Sequence, residues 1–275
     1  FISFIIMFFV FVAIGSVLSS SFVDDEKVLV KNNSILVLKL EDVIKDYAPK
    51  SDDPFATILG LEEKKIGLDK ILNAIDNAKY DDQILGISIE SLMIQGGMGQ
   101  VQEIRDKLFE FKESGKFITA YADVYEQKNL YLSTVADSVY VNPVGMIDFR
   151  GLSGEVLFFK DFQEKYGMKM EVIRHGKYKS AVEPFLANEM SDANREQTEA
   201  FLNSIWSEMV EDIKESRGIE SSEINHIADE LMARTPDLAI ENNMITGKLY
   251  KDEYVKVLKK LGGLEEDSKL YSVSI

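Results

Sequence analysis

What most limits the folds open to this chain is its alternation of short apolar runs with longer stretches whose apolar residues return every three or four positions. Ser34 to Leu40 (S-I-L-V-L-K-L) has the composition of a short buried strand, and Leu68, Ile71, Leu72 and Ile75 follow at helical spacing. An irregular acidic stretch with Pro49 and Pro54 lies between them. Ile84 to Ile89 is again rich in β-formers, as a buried strand would be. Gly96, Gly97 and Gly99 break the pattern before Val101, Ile104, Leu108 and Phe111 mark an amphipathic helix closed by Gly115. The strand Phe117 to Ala122 comes next, then a helix over Tyr125 to Ala136 and a short strand Ser138 to Val141 ended by Pro143. Such units join parallel strands through crossover helices, which places the chain in the α/β class.

The second half changes character. A helix is expected from about Ser153 to Tyr166, a strand over Lys169 to Arg174, and mostly helices thereafter. Phe201, Leu202, Ile205, Trp206, Met209, Val210 and Ile213 form one apolar stripe, with Ser191 able to cap the start of that helix. The stripe reads as a face packed on its own domain, with Trp206 in the core; a partner or membrane surface is the functional alternative.

Charge narrows the partners. A formal net charge of -16, from 47 acidic and 31 basic residues, argues against binding a phosphate backbone, so nucleic acid is not expected. The chain has no cysteine, which removes disulfides, thiol catalysis and thiolate metal sites. Phe1 to Val23 carries no charged side chain. As a helix it would reach roughly 34 Å at about 1.5 Å per residue, slightly more than a hydrocarbon core of roughly 30 Å, so a membrane anchor is expected over residues 1–23. A cleaved signal peptide is the alternative, given the small residues within Ala13 to Ser21, although its apolar region is usually only about 7 to 15 residues. The first residue is not Met and no basic flank precedes the run, so the natural N-terminus is expected upstream. Asp24-Asp25-Glu26, just after the run, has little topological weight.

Arg174 to Phe185 reads R-H-G-K-Y-K-S-A-V-E-P-F. Asp148-Phe149-Arg150-Gly151-Leu152-Ser153 and Phe158-Phe159-Lys160 precede it, and Asn194-Arg195-Glu196-Gln197-Thr198-Glu199 follows. These strings resemble the N-terminal half of the long-form signal peptide peptidase A family, the membrane-bound serine proteases also called protease IV or peptidase family S49. The resemblance covers roughly Ser34 to Tyr250. It implies a crotonase-like, ClpP-like unit of stacked βαβ turns over residues 34–262, with helical C-terminal additions. A linker at 24–33 would separate that unit from the transmembrane helix, and 263–275 would lead towards a second catalytic unit. It also implies an inner-membrane protein of bacteria with its bulk on the periplasmic side, a tetramer, hydrophobic peptide substrates and no cofactor.

The resemblance makes Lys179 the general base. An amine can serve that role only when neutral, and because a free lysine titrates near 10.4, lowering it to about 7 to 8 requires burial or a neighbouring cation. Arg174, His175 and Lys177 flank Lys179, while Tyr178, Ala181, Val182 and Phe185 can wall it in. Tyr178, Ser180 and Glu183 are candidates to support the base, Glu183 by pairing with a basic neighbour, and Pro184 to fix the following turn. The family takes its nucleophilic serine from an S-G-G-Y-Y type turn of the second unit. The corresponding stretch here, Glu126-Gln127-Lys128-Asn129-Leu130-Tyr131, has Gln127 where a serine would be needed. Ser133 reads as a buried helix residue and Ser180 adjoins the base, so neither is expected to be the nucleophile. Gly96 and Gly97 could form an oxyanion-type cradle, with maintenance of the fold or lining of a substrate groove as the plainer roles. His175 and His226 suggest neither a metal site nor a Ser-His-Asp triad.

Three readings follow. The first is the N-terminal part of a Ser/Lys signal peptide peptidase. The second is a non-catalytic anchoring and oligomerisation module of the same fold. The third, an acyl-CoA enzyme, is open on fold alone.

Overall fold

The computed structural model describes residues 3–12, 29–48, 64–173, 175–176 and 178–275. The described part of the uncharged run, residues 3–12, is a helix (α1) exposed along its length, with Phe4 78% and Phe11 69% open. Among the described residues no helix is long and apolar enough to cross a membrane. The expectations for Ala13–Ser21, for Asp24-Asp25-Glu26, for the stretch with Pro49 and Pro54, and for the side chains of Arg174 and Lys177 lie outside the described residues.

The chain divides into two units, one formed by Phe1–Ala122 with Tyr250–Ile275 and the other by Asp123–Leu249. In the first, β1 (Ser34–Leu38), β4 (Ile84–Ile89) and the start of β5 (Phe117–Tyr125) lie side by side and parallel, with Leu36 opposite Ile87 and Gly86 opposite Phe117. A short parallel pair, β2 (Val43–Lys45) and β3 (Lys65–Gly67), precedes α2 (Leu68–Tyr80). The crossover between β4 and β5 is α3 (Met98–Phe111). The expected helical spacing is what packs here: Ile71 and Ile75 of α2, and Val101, Ile104, Leu108 and Phe111 of α3, are all fully buried. Gly115 has φ +76° and donates its N–H to the Lys112 carbonyl, the left-handed stop expected after this helix. Gly86 permits close strand approach, because a Cβ there would lie 2.6 Å from the Phe117 carbonyl oxygen. Lys116 Nζ donates to the carbonyls of Ala78 (2.8 Å) and Asp81 (2.7 Å) at the end of α2. Partial burial pushes its pKa below the ordinary lysine value. Residues 263–275, read as linker, contain β8 (Tyr271–Ser274), which pairs parallel with β1, Leu36 opposite Val273. Four alternating residues are too short a signal to distinguish from a loop without the partner strand.

The second unit takes in the end of β5 and then α4 (Gln127–Ser133), shorter than the expected helix because β5 runs on to Tyr125. The strand expected to stop at Pro143 instead continues through it: β6 spans Ser138–Ile147. Proline lacks only the N–H, and Val144 next to it gives its own N–H to the Asn142 side chain rather than to a ladder. The helix expected over Ser153 to Tyr166 shrinks to α5 (Lys160–Lys165), and Gly167, at φ +67°, follows it. Of the strand expected over Lys169 to Arg174, the described residues 169–173 have no regular structure; their β-forming composition meets no partner strand among the described residues. After α6 (Glu183–Leu186) comes α7 (Asp192–Arg217), whose cap is the expected Ser191, and then α8 (Ser221–Asp229), α9 (Pro236–Glu241) and β7 (Gly247–Lys248), which pairs with β6. The apolar stripe of α7 is buried only at Met209, Val210 and Ile213. Phe201 is exposed, and Trp206, expected in the core, is half-buried, with its ring 5.5 Å from Phe149 and its indole N–H on Asn225 Oδ1 at 2.7 Å. An indole needs a partner for its N–H, and here that partner is at the surface. The first unit resumes with α10 (Lys251–Leu261).

Candidate active site

Lys179 stands on the loop between residues 168–173 and α6. Its backbone N–H donates to the Gly176 carbonyl at 3.3 Å across a turn in which Gly176 has φ +98°. The lysine is exposed, as are Tyr178 and His175. Beyond Ser180 the chain tightens: the Glu183 N–H reaches the Ser180 carbonyl, and the Ala187 N–H the Glu183 carbonyl, each at 2.9 Å. Phe159 gives its N–H to the Pro184 carbonyl at 2.6 Å, and its ring stacks on Phe185 with centroids 5.8 Å apart.

Glu183 is buried at 5% exposure. Its carboxylate meets the beginning of α7: Ser191 Oγ donates to Oε1, and Asn194 Nδ2 (2.9 Å) and the Ser191 N–H (3.3 Å) donate to Oε2. Where a basic neighbour was expected for Glu183, the donors to its carboxylate are Ser191 and Asn194 at the start of α7, the helix end whose dipole favours an anion. Tyr178 makes a second contact with the same helix through its hydroxyl and Glu196, 3.3 Å apart.

Gln127 makes three hydrogen bonds through its side chain. Its Oε1 accepts from the N–H groups of Arg150 (3.0 Å) and Gly151 (2.9 Å), while its Nε2 donates to the Gly151 carbonyl at 2.9 Å. A surface cavity of about 190 Å³ opens beside this turn, lined by Leu152, Leu202, Asn203, Trp206 and Asp229 among others. Ser133 is buried in α4, as expected.

Gly96 and Gly97, in the first unit, lie on the loop from β4 into α3. The Gly97 N–H is taken by Gln100 Oε1 at 2.9 Å, and Gln100 Nε2 reaches Asp46 Oδ1 at 2.8 Å. A Cβ on Gly96 would come within 3.1 Å of Ile44, so that glycine serves close packing. The pair thus shapes this turn. Among the described residues no three His, Asp or Glu side chains gather where they could hold a metal ion, and His226 is exposed on α8.

One cluster of the first unit was not singled out in the sequence. Ser88 Oγ bonds Glu90 Oε1 (2.8 Å) and the Tyr254 hydroxyl (2.7 Å), while Glu90 Oε2 pairs with Lys251 Nζ. Tyr254 stacks on Tyr121 at 4.8 Å, and Lys251 lies about 5 Å from both rings. The i, i+2 spacing puts Ser88, on β4, and Glu90, just past its end, on one side of the extended chain, but the partners come from α10, more than 160 residues on.

The family model described as Peptidase family S49 matches residues 110–265, a stretch that includes Lys179, Glu183 and Gln127. The chain is 32% identical over 214 residues to Protease 4 of Haemophilus influenzae, covering 75% of this chain and 35% of that protein. It is 27% identical over 244 residues to the chloroplastic serine protease SPPA of Arabidopsis thaliana, covering 89% and 34%. With Protease 4 of Salmonella typhi it shares 32% over 155 residues, 56% of this chain and 25% of the relative. The chain thus spans about a quarter to a third of the length of these relatives.

Proposed function

Because this chain belongs to peptidase family S49, matched over residues 110–265, we propose that it forms the N-terminal part of a membrane-anchored serine endopeptidase that degrades cleaved signal peptides. The observation that carries this reading is the K-S-A-V-E-P-F run, Lys179 to Phe185, inside the matched region. Lys179 is the general base. A serine from a further unit of the complete protein attacks the peptide carbonyl while Lys179 takes its proton, then returns that proton to the leaving amine. Tyr178, Ser180 and Glu183 support the base. The substrates are extended hydrophobic peptides, and no metal or other cofactor takes part.

The uncharged run over residues 1–23 is the anchor, a reading supported by its length and lack of charge. The protein is then a bacterial inner-membrane enzyme, assembled as a tetramer with its bulk on the periplasmic side. Replacing Lys179 by Ala in the complete protein should abolish peptidase activity, leaving less than about one part in a thousand; activity of that variant near the parent level would refute the assignment.

Gln127 favours a second reading for the chain taken alone. Its side chain makes three hydrogen bonds to the Arg150–Gly151 backbone, at the position where a serine would be needed. The chain by itself then acts as an anchoring and oligomerisation module and hydrolyses nothing. Measurable turnover by the purified chain alone would exclude that reading.

A further inference from the structure

Lys179 lies on an exposed loop, and a base on such a loop acts efficiently only if something rigid aims it. Misplacement by about 1 Å can cost on the order of a hundredfold in rate. The long rigid element that follows in the chain is α7, 26 residues long and capped at both ends. Two side chains flanking the lysine reach it. Tyr178, just before the lysine, contacts Glu196; Glu183, four residues after it, is held by Ser191 and Asn194. The Tyr178 contact is exposed and therefore weak. The Glu183 contact is buried, with Asn194 only 8% exposed, and its acceptor is a carboxylate, for which hydrogen bonds are about twice as strong as neutral ones.

We propose that Glu183, Ser191 and Asn194 are positioning residues: they fasten the lysine-bearing loop to the first turn of α7 and so fix where the Lys179 amine is presented. The inference rests on Lys179 being the base. Ser191 has a double role, because its hydroxyl donates to Glu183 and also accepts the Asn194 N–H at 3.3 Å as the helix cap. Glu183 transmits the constraint back to the lysine through its own N–H on the Ser180 carbonyl. The glutamate of the K-S-A-V-E-P-F run thus serves the helix, and through the helix the base.

The test uses the complete protein with a hydrophobic peptide substrate. Glu183→Gln replaces the oxygen facing Asn194 with an N–H2 group, so two donors meet; Asn194→Asp sets two carboxylates against each other. Each single variant should lower kcat about tenfold or more and leave KM within about twofold. Combining the two lets the introduced amide donate to the introduced carboxylate while Ser191 Oγ still donates to the amide oxygen; the 3.3 Å bond from the Ser191 N–H stays lost, so the double variant should recover part of the lost kcat. In parallel, hydrogen exchange at the amides of Lys179, Glu183 and Ala187 should quicken in Glu183→Gln and slow again in the double variant. Unchanged kcat and exchange in Glu183→Gln would overturn the inference, as would a double variant no better than the worse single one. Lys179→Ala keeps the two readings apart. If it remains active, the base assignment falls and the positioning role with it; if it is inactive while Glu183→Gln behaves as the parent, only the present inference falls.

Discussion

Gln127 shows how the two ends of one side-chain amide can hold a distant turn. Both ends of its amide hold the Arg150–Gly151 backbone, 23 and 24 residues further along. Replacing it by Ala leaves two N–H groups and a carbonyl without these bonds, and we expect a loss of about 1–3 kcal/mol, measured by urea unfolding of the chain. Gln127→Ser should lose about as much, since a hydroxyl on one carbon does not reach the same backbone. A stability equal to the parent in both variants would show that water replaces the amide at no cost. That a glutamine stands at this position was legible in the sequence. The clamp was not, because nothing local links Gln127 to a turn so far along the chain. The same holds for Glu183, whose run points to the lysine while its bonds go to Ser191 and Asn194.

Between elements, α2 and α3 combine a buried apolar seam with a half-exposed set of charges. Lys79 pairs with Glu110 (3.4 Å) and Glu113 (3.0 Å), and Lys107 with Asp76 (3.1 Å) and Glu110 (2.9 Å). The hydrogen bond from Lys107, helped by Lys79, holds the Glu110 carboxyl below its ordinary value, and hydrogen bonds to Glu110 and Asp76 raise Lys107. A depressed carboxylate stabilises the fold above its unfolded pKa of 4.5 and loses that contribution as pH falls through the folded value. Glu110→Gln should therefore melt slightly below the parent at neutral pH. The gap should close on acidification from about pH 5 downward, and also in roughly 1 M salt, where the screening length is about 3 Å. A gap that persists in acid would assign Glu110 a role other than charge pairing. The helices themselves were readable from apolar spacing. The strand expected at Lys169–Arg174 was not a sound reading, because β-forming composition specifies a strand only when a neighbour supplies the ladder.

At the scale of the whole molecule, α1 is the outlying element, with its phenylalanines open to solvent. If the run over residues 1–23 anchors the protein, deleting it should move the remainder from the membrane pellet to the supernatant after carbonate washing. A truncated protein that still sediments with vesicles would place the anchor elsewhere. The sequence by itself determined the α/β class, the parallel strands β1, β4 and β5, the helices α2, α3 and the cap of α7, and the family through the run ending in Phe185. All of these are written in local periodicity, side-chain type or contiguous motif, which need no knowledge of distant partners. Only the tertiary structure decided that β8 joins β1, that Ser88 and Glu90 meet Tyr254 and Lys251, that Gln127 clamps the Arg150–Gly151 turn and that Glu183 bonds Ser191 and Asn194 at the start of α7. Each of those is a choice among hydrogen-bond partners of similar local merit. Which of them is made depends on what folding brings within about 3 Å and removes from water.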